Sequence, residues 1–475
     1  MKLLGNPHKK FKSIHVAGTS GKGTTCWYIA QLLRNCKLET RNSKLETDST
    51  SSPQANSKYK IQNSKEVSDF GFRYSNLKPI KIGLHVSPHL VDIRERMQIL
   101  ESRKSKSKVE SLMPMGRFLR LFNEIKPIVE KIQRERPELT PSYFEILAAG
   151  AFVYFADERV EWAVVEVGLG GRLDATNVLQ SRVAVITNIG LDHTEILGKT
   201  IEKIAYEKAG VIKKRTPVVT STSGPAFKVI ADVAKKQQAP LITINTQKNE
   251  SANKFLALAA IETAGIDLSG KAVERAFEAK FPGRLEEIDD GVVLDGAHNA
   301  DKVRFLIKYI LRAQREVTDE NIKVSKVSSL RLAPDRTITS VVLILAFKKG
   351  KDWKKMVDLL MKEFQIKKII ATRYQAVTDT GRGSAVEPEE IRDYVAKVHS
   401  FKCIVISNSQ EAVFEALRDP SYSSSEARSY PKNSHISSEG KFSPASAGSN
   451  NILVLVTGSL YLVGEVRTMW KLPEF

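Results

Sequence analysis

The sequence predicts an α/β fold in two parts. A larger parallel-sheet domain with a phosphate-binding loop takes about residues 1–281, and a smaller Rossmann-like α/β domain takes about 282–475. Three observations predict it. Short apolar runs alternate with segments of helical apolar spacing along most of the chain, the pattern of βα units. Several of those runs end in glycine and polar residues, as in GTSGKGTT, EVGLGG and DGAHN, where an open parallel sheet places a ligand site. At 475 residues the chain exceeds one ordinary core, and Phe281-Pro282-Gly283 interrupts the alternation in the manner of a hinge.

The first unit, Ser13 to Thr25, sets the frame. An apolar strand, Ile14 to Ala17, runs into a glycine loop, and a helix begins near Gly23 and continues through Trp27 to Leu33. Backbone N–H groups at such a turn, with the helix dipole behind them, favour an anion. Lys22 supplies a positive charge for β/γ-phosphate oxygens, Gly21 and Gly23 let the backbone approach, and Thr24 and Thr25 offer hydroxyls of the kind that hold Mg²⁺. The spacing departs from G-x4-G-K-[ST], because Gly23 stands between the lysine and the threonines.

The following elements are read from periodicity. Lys81 to Val86 is a strand that runs into SPHLVDIRERM. Phe118 to Ile132 is helical, with Pro127 expected to kink or split it. Ser142 to Phe155 is an Ala-rich helix with Ser142 as N-cap and Glu145 completing a capping box. Trp162 to Val167 is a buried-type strand ending at Glu166. That glutamate reads equally as a metal-binding or water-positioning carboxylate and as a strand-end acid facing solvent. Val183 to Thr187 is the next strand, leading to NIGLDH. A helix over Ile201 to Lys208 ends at Ala209-Gly210. Strand and helix then alternate through Ala264. Beyond the hinge, strands at Val292, Val341, Lys368, Cys403 and Ile452 alternate with helices.

Composition bounds the function. No run of about 18 apolar residues predicts a membrane span, and the N-terminus lacks the apolar stretch of a secretory signal. Three cysteines, Cys26, Cys36 and Cys403, make neither a disulfide framework nor a metal cluster, which fits a cytoplasmic protein. The net charge is +19, but the lysines are spread over the chain without an aromatic-interleaved stripe. A polyanionic small molecule is therefore expected as partner rather than nucleic acid. Three polar segments, about 37–78, 315–335 and 420–449, read as insertions in surface loops. The first opens on what looks like a slipped repeat, RNCKLET and NSKLETDS.

Taken in order, GTSGKGTT, SPHL with ERM after it, SYFE, EVGLGGRLDATN, NIGLDHTEILG, IAYEKAGVIK, FPGRLE and DGAHN resemble the Mur ligase superfamily and, within it, folylpolyglutamate synthase/dihydrofolate synthase. The resemblance covers nearly the whole chain outside the three insertions. It implies a P-loop-containing ATPase domain followed by a Rossmann-like domain, in a monomeric ATP-dependent ligase. ATP phosphorylates a substrate carboxylate, and the amine of L-glutamate attacks the acyl phosphate. The acceptor is dihydropteroate, a folate, or both; SYFE after Leu139-Thr140-Pro141 resembles bifunctional members.

Roles carried over by the resemblance are these. Gly21, Lys22, Gly23 and Thr24 form the phosphate loop. Ser87, Glu166 and His193, with Thr24, match Mg²⁺ ligands at two expected sites. Chemistry alone reads His193 as a general base or a structural histidine. Lys208 matches a lysine carried as a carbamate; read by itself it is an ordinary helix-end lysine. Asn253, Arg284 and Asp295 match nucleotide contacts, with His298 beside them. Ser142, Tyr143, Phe144 and Glu145, and Arg172, Leu173 and Asp174, match the pterin-substrate site. Lys22, Glu166, His193 and Lys208 are the expected catalytic set.

Ser20 replaces the family's usual Asn in a loop that acts mainly through backbone. Members usually carry helical sequence ahead of Leu4–Pro7, where part of the substrate-side wall is expected. A cell-wall UDP-muramoyl ligase would not explain GRLDATN and SYFE. A non-catalytic nucleotide-binding module would not explain Lys22, Glu166, His193 and Lys208 together.

Overall fold

The computed structural model describes residues 1–36, 80–102, 112–245, 252–289, 291–318, 338–376, 385–418 and 452–470. The expected insertions at 37–78 and 420–449 lie outside the described residues, as does most of 315–335.

The first half contains β1 (Lys12–Ala17), α1 (Lys22–Asn35), β2 (Lys81–His85), β3 (Gln98–Glu101), α2 (Met115–Glu135), α3 (Tyr143–Asp157), β4 (Trp162–Glu166) and β5 (Val183–Ile186). It continues with α4 (Thr194–Leu197), α5 (Ile201–Ala209), β6 (Val218–Thr220), α6 (Gly224–Lys236), β7 (Leu241–Thr243), α7 (Ala252–Thr263) and α8 (Gly270–Glu278). The sheet order is β3-β2-β4-β1-β5-β6-β7. All its pairings are parallel except β2 with β3. Strand β1 lies between β4 and β5, so the loops leaving these three strands open into one crevice at the carboxyl edge, where the strand order reverses.

The alternation of side chains along β1 explains its burial. Ile14 and Val16 face a core shared with α1, α7 and α8, which includes Leu32, Leu33 and Ile261. Phe152, Phe155 and Leu121 of α3 and α2 fill the opposite face. With both faces covered, these strands read as unbroken apolar runs.

The second half contains β8 (Glu286–Asp289), β9 (Val292–Asp295), α9 (Ala300–Thr318), β10 (Ser340–Leu345), α10 (Trp353–Glu363) and β11 (Ile366–Arg373). It ends with α11 (Pro388–His399), β12 (Cys403–Asn408), α12 (Ser409–Leu417), β13 (Ile452–Thr457) and α13 (Leu460–Arg467). The order is β12-β11-β10-β13-β9-β8, parallel except β8 with β9. Along β10, Val341, Leu343 and Leu345 pack toward α9, α10 and α11, while Val342 and Ile344 pack toward α12 and α13. The period of two in one strand thus serves two cores.

Some expectations are corrected. Helix α2 is continuous through Pro127 rather than split. Pro127 stands on the exposed face, where the carbonyl deprived of its N–H partner can bind water. Strands β3 and β8 were not anticipated; both are short antiparallel edges. Helix α9 extends into the segment expected to be an insertion. The capping box on α3 forms as read: Glu145 N–H donates to Ser142 Oγ at 3.3 Å, and Ser142 N–H to Glu145 Oε2 at 2.7 Å.

The connection between the sheets is pinned from both sides. The Phe281 ring stacks on Trp27 of α1 at 5.3 Å. Gly283 N–H donates to Glu286 Oε2 at 2.7 Å, and its carbonyl accepts from Gly296 N–H at 3.0 Å.

Candidate active site

The loop after β1 is laced to the segment after β5. Ser20 N–H donates to Asn188 Oδ1 at 2.7 Å, Thr19 N–H to Asn188 O at 2.9 Å, and Thr187 Oγ1 to Ser20 O at 2.7 Å. Gly18 has φ +145°, and a Cβ there would lie 1.9 Å from Thr187 Oγ1. Gly18→Ala is expected to cost about 1–3 kcal/mol through backbone strain and overlap. Denaturant unfolding measures it, and an unchanged midpoint would contradict the account.

Helix α1 begins at Lys22 with Gly21 as N-cap at φ +82°, and no side chain caps it. Its first-turn N–H groups are left for an external acceptor, and the positive end of the dipole points the same way. Those groups and Lys22 fit a phosphate chain. Gly23, the residue that breaks the usual spacing, stands in a crowded place. A Cβ there would sit 3.3 Å from both Glu166 Oε2 and the Phe281 ring. Asn253 of α7 reaches this loop and accepts from Thr25 Oγ1 at 3.2 Å.

Glu166 ends β4 and is 5% exposed, so it does not face solvent. Its Oε2 accepts from Ser87 N–H at 3.0 Å, and its Oε1 lies 3.9 Å from Lys22 Nζ. Burial raises its pKa, while Lys22, the Ser87 N–H, Arg284 and Lys302 work against burial. A buried carboxylate with unused lone pairs next to a phosphate loop fits a hard divalent cation that keeps water and phosphate among its ligands. Among the described residues no three His, Cys, Asp or Glu side chains form a cage.

Lys208, in the last turn of α5, is buried rather than solvent-facing. Its Nζ donates to Gly18 O at 2.9 Å. Burial first, then the charge of Lys22, lowers its pKa to about 7. The amine is thus partly neutral near neutral pH, as carbamate formation requires.

His193 has φ 52° and ψ 41° and precedes α4. Its Nε2 is 3.9 Å from Asp192 Oδ1 and its Nδ1 3.6 Å from Glu195 Oε1. Burial and Lys351 lower its pKa and favour the neutral imidazole a metal would need. Asp192 bridges the two halves. It accepts from Lys351 Nζ at 2.8 Å and from Asn299 Nδ2 at 3.2 Å. Burial pushes its carboxyl up, but the hydrogen bond and charge of Lys351 prevail and hold it below the usual range.

From the second sheet, Asp295 ends β9 and accepts N–H bonds from Leu285 at 2.9 Å and Ala297 at 2.8 Å. Arg284 donates to Gly296 O at 3.1 Å, and His298 contacts the same carbonyl through Nδ1 at 2.9 Å. Lys22, Arg284 and Lys351 surround Lys302 electrostatically, with Asp192 opposing them. Positive charge gathered at the mouth of the phosphate loop suits a polyanion.

The expected substrate motifs divide in two. Phe144 lies over the turn after β4, so close that a Cβ on Gly168 would be 2.5 Å from its ring. The Tyr143 ring is half exposed beneath the Arg96 guanidinium, 5.7 Å away, and Leu173 is 79% exposed. These offer apolar surface. Ser142 and Glu145 are instead committed to the α3 cap. Asp174 is committed to Leu169 N–H at 2.8 Å and Thr176 N–H at 2.9 Å. Arg172 forms an ion pair with Glu207 at 2.9 Å.

Asn188, Asp192, Lys302 and Lys351 were not singled out from sequence. Asn188 and Asp192 lie inside a motif read for His193 alone. Lys302 stands four residues after His298, a helical spacing that could have drawn attention. Lys351 follows β10 in a lysine-rich loop and carries no such signal.

Comparison with known proteins gives the family. Residues 128–288 match the family model of the Mur ligase middle domain, and residues 284–469 that of the dihydrofolate synthetase C-terminal domain. The dihydrofolate synthase/folylpolyglutamate synthase of Bacillus subtilis is 30% identical over 351 residues, covering 64% of this chain and 69% of that protein. The chain belongs to the dihydrofolate synthase/folylpolyglutamate synthase family. Another member, the dihydrofolate synthetase of Saccharomyces cerevisiae, is 24% identical over 507 residues, 98% of this chain and 94% of its own. The family fold is also seen in a bifunctional folylpolyglutamate synthase/dihydrofolate synthase from Yersinia pestis, complexed with AMPPNP and a manganese ion. It is 21% identical with a TM-score of 0.66, covering 98% of this chain and 92% of that one. Among the described residues no helix is long and apolar enough to cross a membrane.

Proposed function

We propose that this chain is an ATP-dependent ligase that adds L-glutamate to dihydropteroate, to folate, or to both, through an acyl phosphate. Family membership supports an ATP- and divalent-metal-dependent ligase acting on folates. The observation that carries the reading is the buried Glu166. It sits between Lys22 Nζ and Ser87 N–H at the uncapped start of α1, with Arg284 of the second half within electrostatic reach.

A carboxylate is a poor electrophile, and phosphorylation supplies the leaving group. The loop N–H groups and Lys22 hold and neutralise the phosphates. Arg284, with Asn253 and Asp295 near it, is assigned to the nucleotide. Thr24, Ser87, Glu166 and His193 are assigned to Mg²⁺ at two sites, the second supported by a Lys208 carbamate. A bound divalent cation would supply charge stabilisation on transferring phosphoryl oxygens. The exposed apolar surfaces of Tyr143 and Leu173 are assigned to the pterin. The domain boundary is placed at Phe281-Pro282-Gly283, and a cytoplasmic monomer without a nucleic-acid partner is expected.

ADP release should require ATP, Mg²⁺, dihydropteroate or a folate, and glutamate together, with a glutamylated product detected by mass. ADP release independent of both acceptor and glutamate, with no product, would overturn the reading.

A further inference from the structure

His298 and Lys302 form a linked pair at the start of α9. His298 Nδ1 lies 2.9 Å from Gly296 O. A carbonyl only accepts, so Nδ1 carries a proton. Nε2 lies 2.8 Å from Lys302 Nζ and is left as the acceptor. Among the described residues no carboxylate lies within ion-pair distance of Lys302 Nζ.

An ammonium is disfavoured at this place for three reasons. Lys302 is in the first turn of α9, at the positive end of the helix dipole. Arg284, Lys22 and Lys351 add positive charge around it, and Asp192 opposes them. Burial, although partial for both side chains, adds the largest cost. The other groups facing the pair are Glu166 and Asp295, both of which feel Lys302. These surroundings favour the neutral amine, and a neutral Lys302 gives the pair one vacant proton position, shared across 2.8 Å in the interdomain cleft.

We propose that the Lys302–His298 pair accepts the proton of the incoming glutamate ammonium, which makes that amine a nucleophile. This rests on the ligase reading above. The step balances as follows. One N–H bond of the ammonium breaks, and its proton goes to Lys302 Nζ, where it is held against His298 Nε2. The freed electron pair forms the C–N bond to the acyl carbon. The C–O bond to phosphate then breaks, and phosphate leaves with that pair. The second surplus proton on nitrogen goes to the departing phosphate.

Hydroxylamine separates this step from the rest, because it is already unprotonated at neutral pH and needs no base. With ATP, Mg²⁺ and dihydropteroate, Lys302→Met is expected to form the hydroxamate within about threefold of the wild-type rate, while glutamate ligation falls by about 100-fold in kcat. The glutamate rate should recover as pH rises, and Lys302→Arg should not restore it. An equal fall with both nucleophiles, unchanged glutamate ligation, or a loss confined to the KM for glutamate and restored by arginine would each overturn the proposal. A wild type that makes neither product would overturn the ligase reading itself.

Discussion

Lys208→Ala is expected to lower turnover by at least about 100-fold and to be partly restored by short carboxylates such as acetate or formate. The side chain is buried in the last turn of α5 among Ile204, Ala205 and Ala209, and its Nζ meets Gly18 O at 2.9 Å. An ammonium there competes with Lys22 for anionic groups. A carbamate would keep one N–H for the Gly18 carbonyl and would present carboxylate oxygens to a divalent cation. Lys208→Arg should not be rescued, because the guanidinium keeps its charge and fills the space. Full activity of Lys208→Ala without added acid would rule this role out.

The lowered pKa makes a second measurement possible without ATP or metal. In the folded chain the amine loses its proton near about 7, against 10.5 ordinarily. Between these values the unfolded chain binds more protons, so this group's contribution to stability rises with pH. Below about 7 the cost of the buried ammonium is fully present. Wild type should therefore gain stability relative to Lys208→Met from about pH 7 upward in denaturant titrations. A pH-independent difference between the two would contradict the burial argument.

Lys22→Ala should cut turnover by about 10²–10³-fold while leaving the fold intact. Lys22 begins α1 at an uncapped terminus, and its side chain is largely shielded from water. There a charge on phosphate oxygens acts with little solvent screening. Its loss in the free enzyme should be tolerated, because the Glu166 pair is long at 3.9 Å and Glu166 keeps the Ser87 N–H. Circular dichroism and melting should match wild type, and the loss should persist at saturating ATP. Wild-type turnover under those conditions would exclude the assigned role.

The sequence by itself determined most of the elements and their order. Strand burial, helix periodicity and the Ser142–Glu145 cap are local consequences of side-chain spacing, so they were legible without a partner in view. The glycine loop was legible for the same reason, since strand, turn and helix start lie within a few residues. Strands β3 and β8 were not legible, because a short edge strand is defined by its neighbour in the sheet.

Tertiary structure decided what each ionisable residue experiences. Glu166 had two readings, and burial between elements removed the solvent-facing one; Lys208, read by itself as an ordinary helix-end lysine, is buried against the Gly18 carbonyl. Asp192 meets Lys351, 159 residues away in sequence, only because the fold brings the segment after β5 against the one after β10. Proximity of charge is a property of the folded chain, so the gathering of Lys22, Arg284 and Lys351 and the Lys302–His298 pair are visible only there.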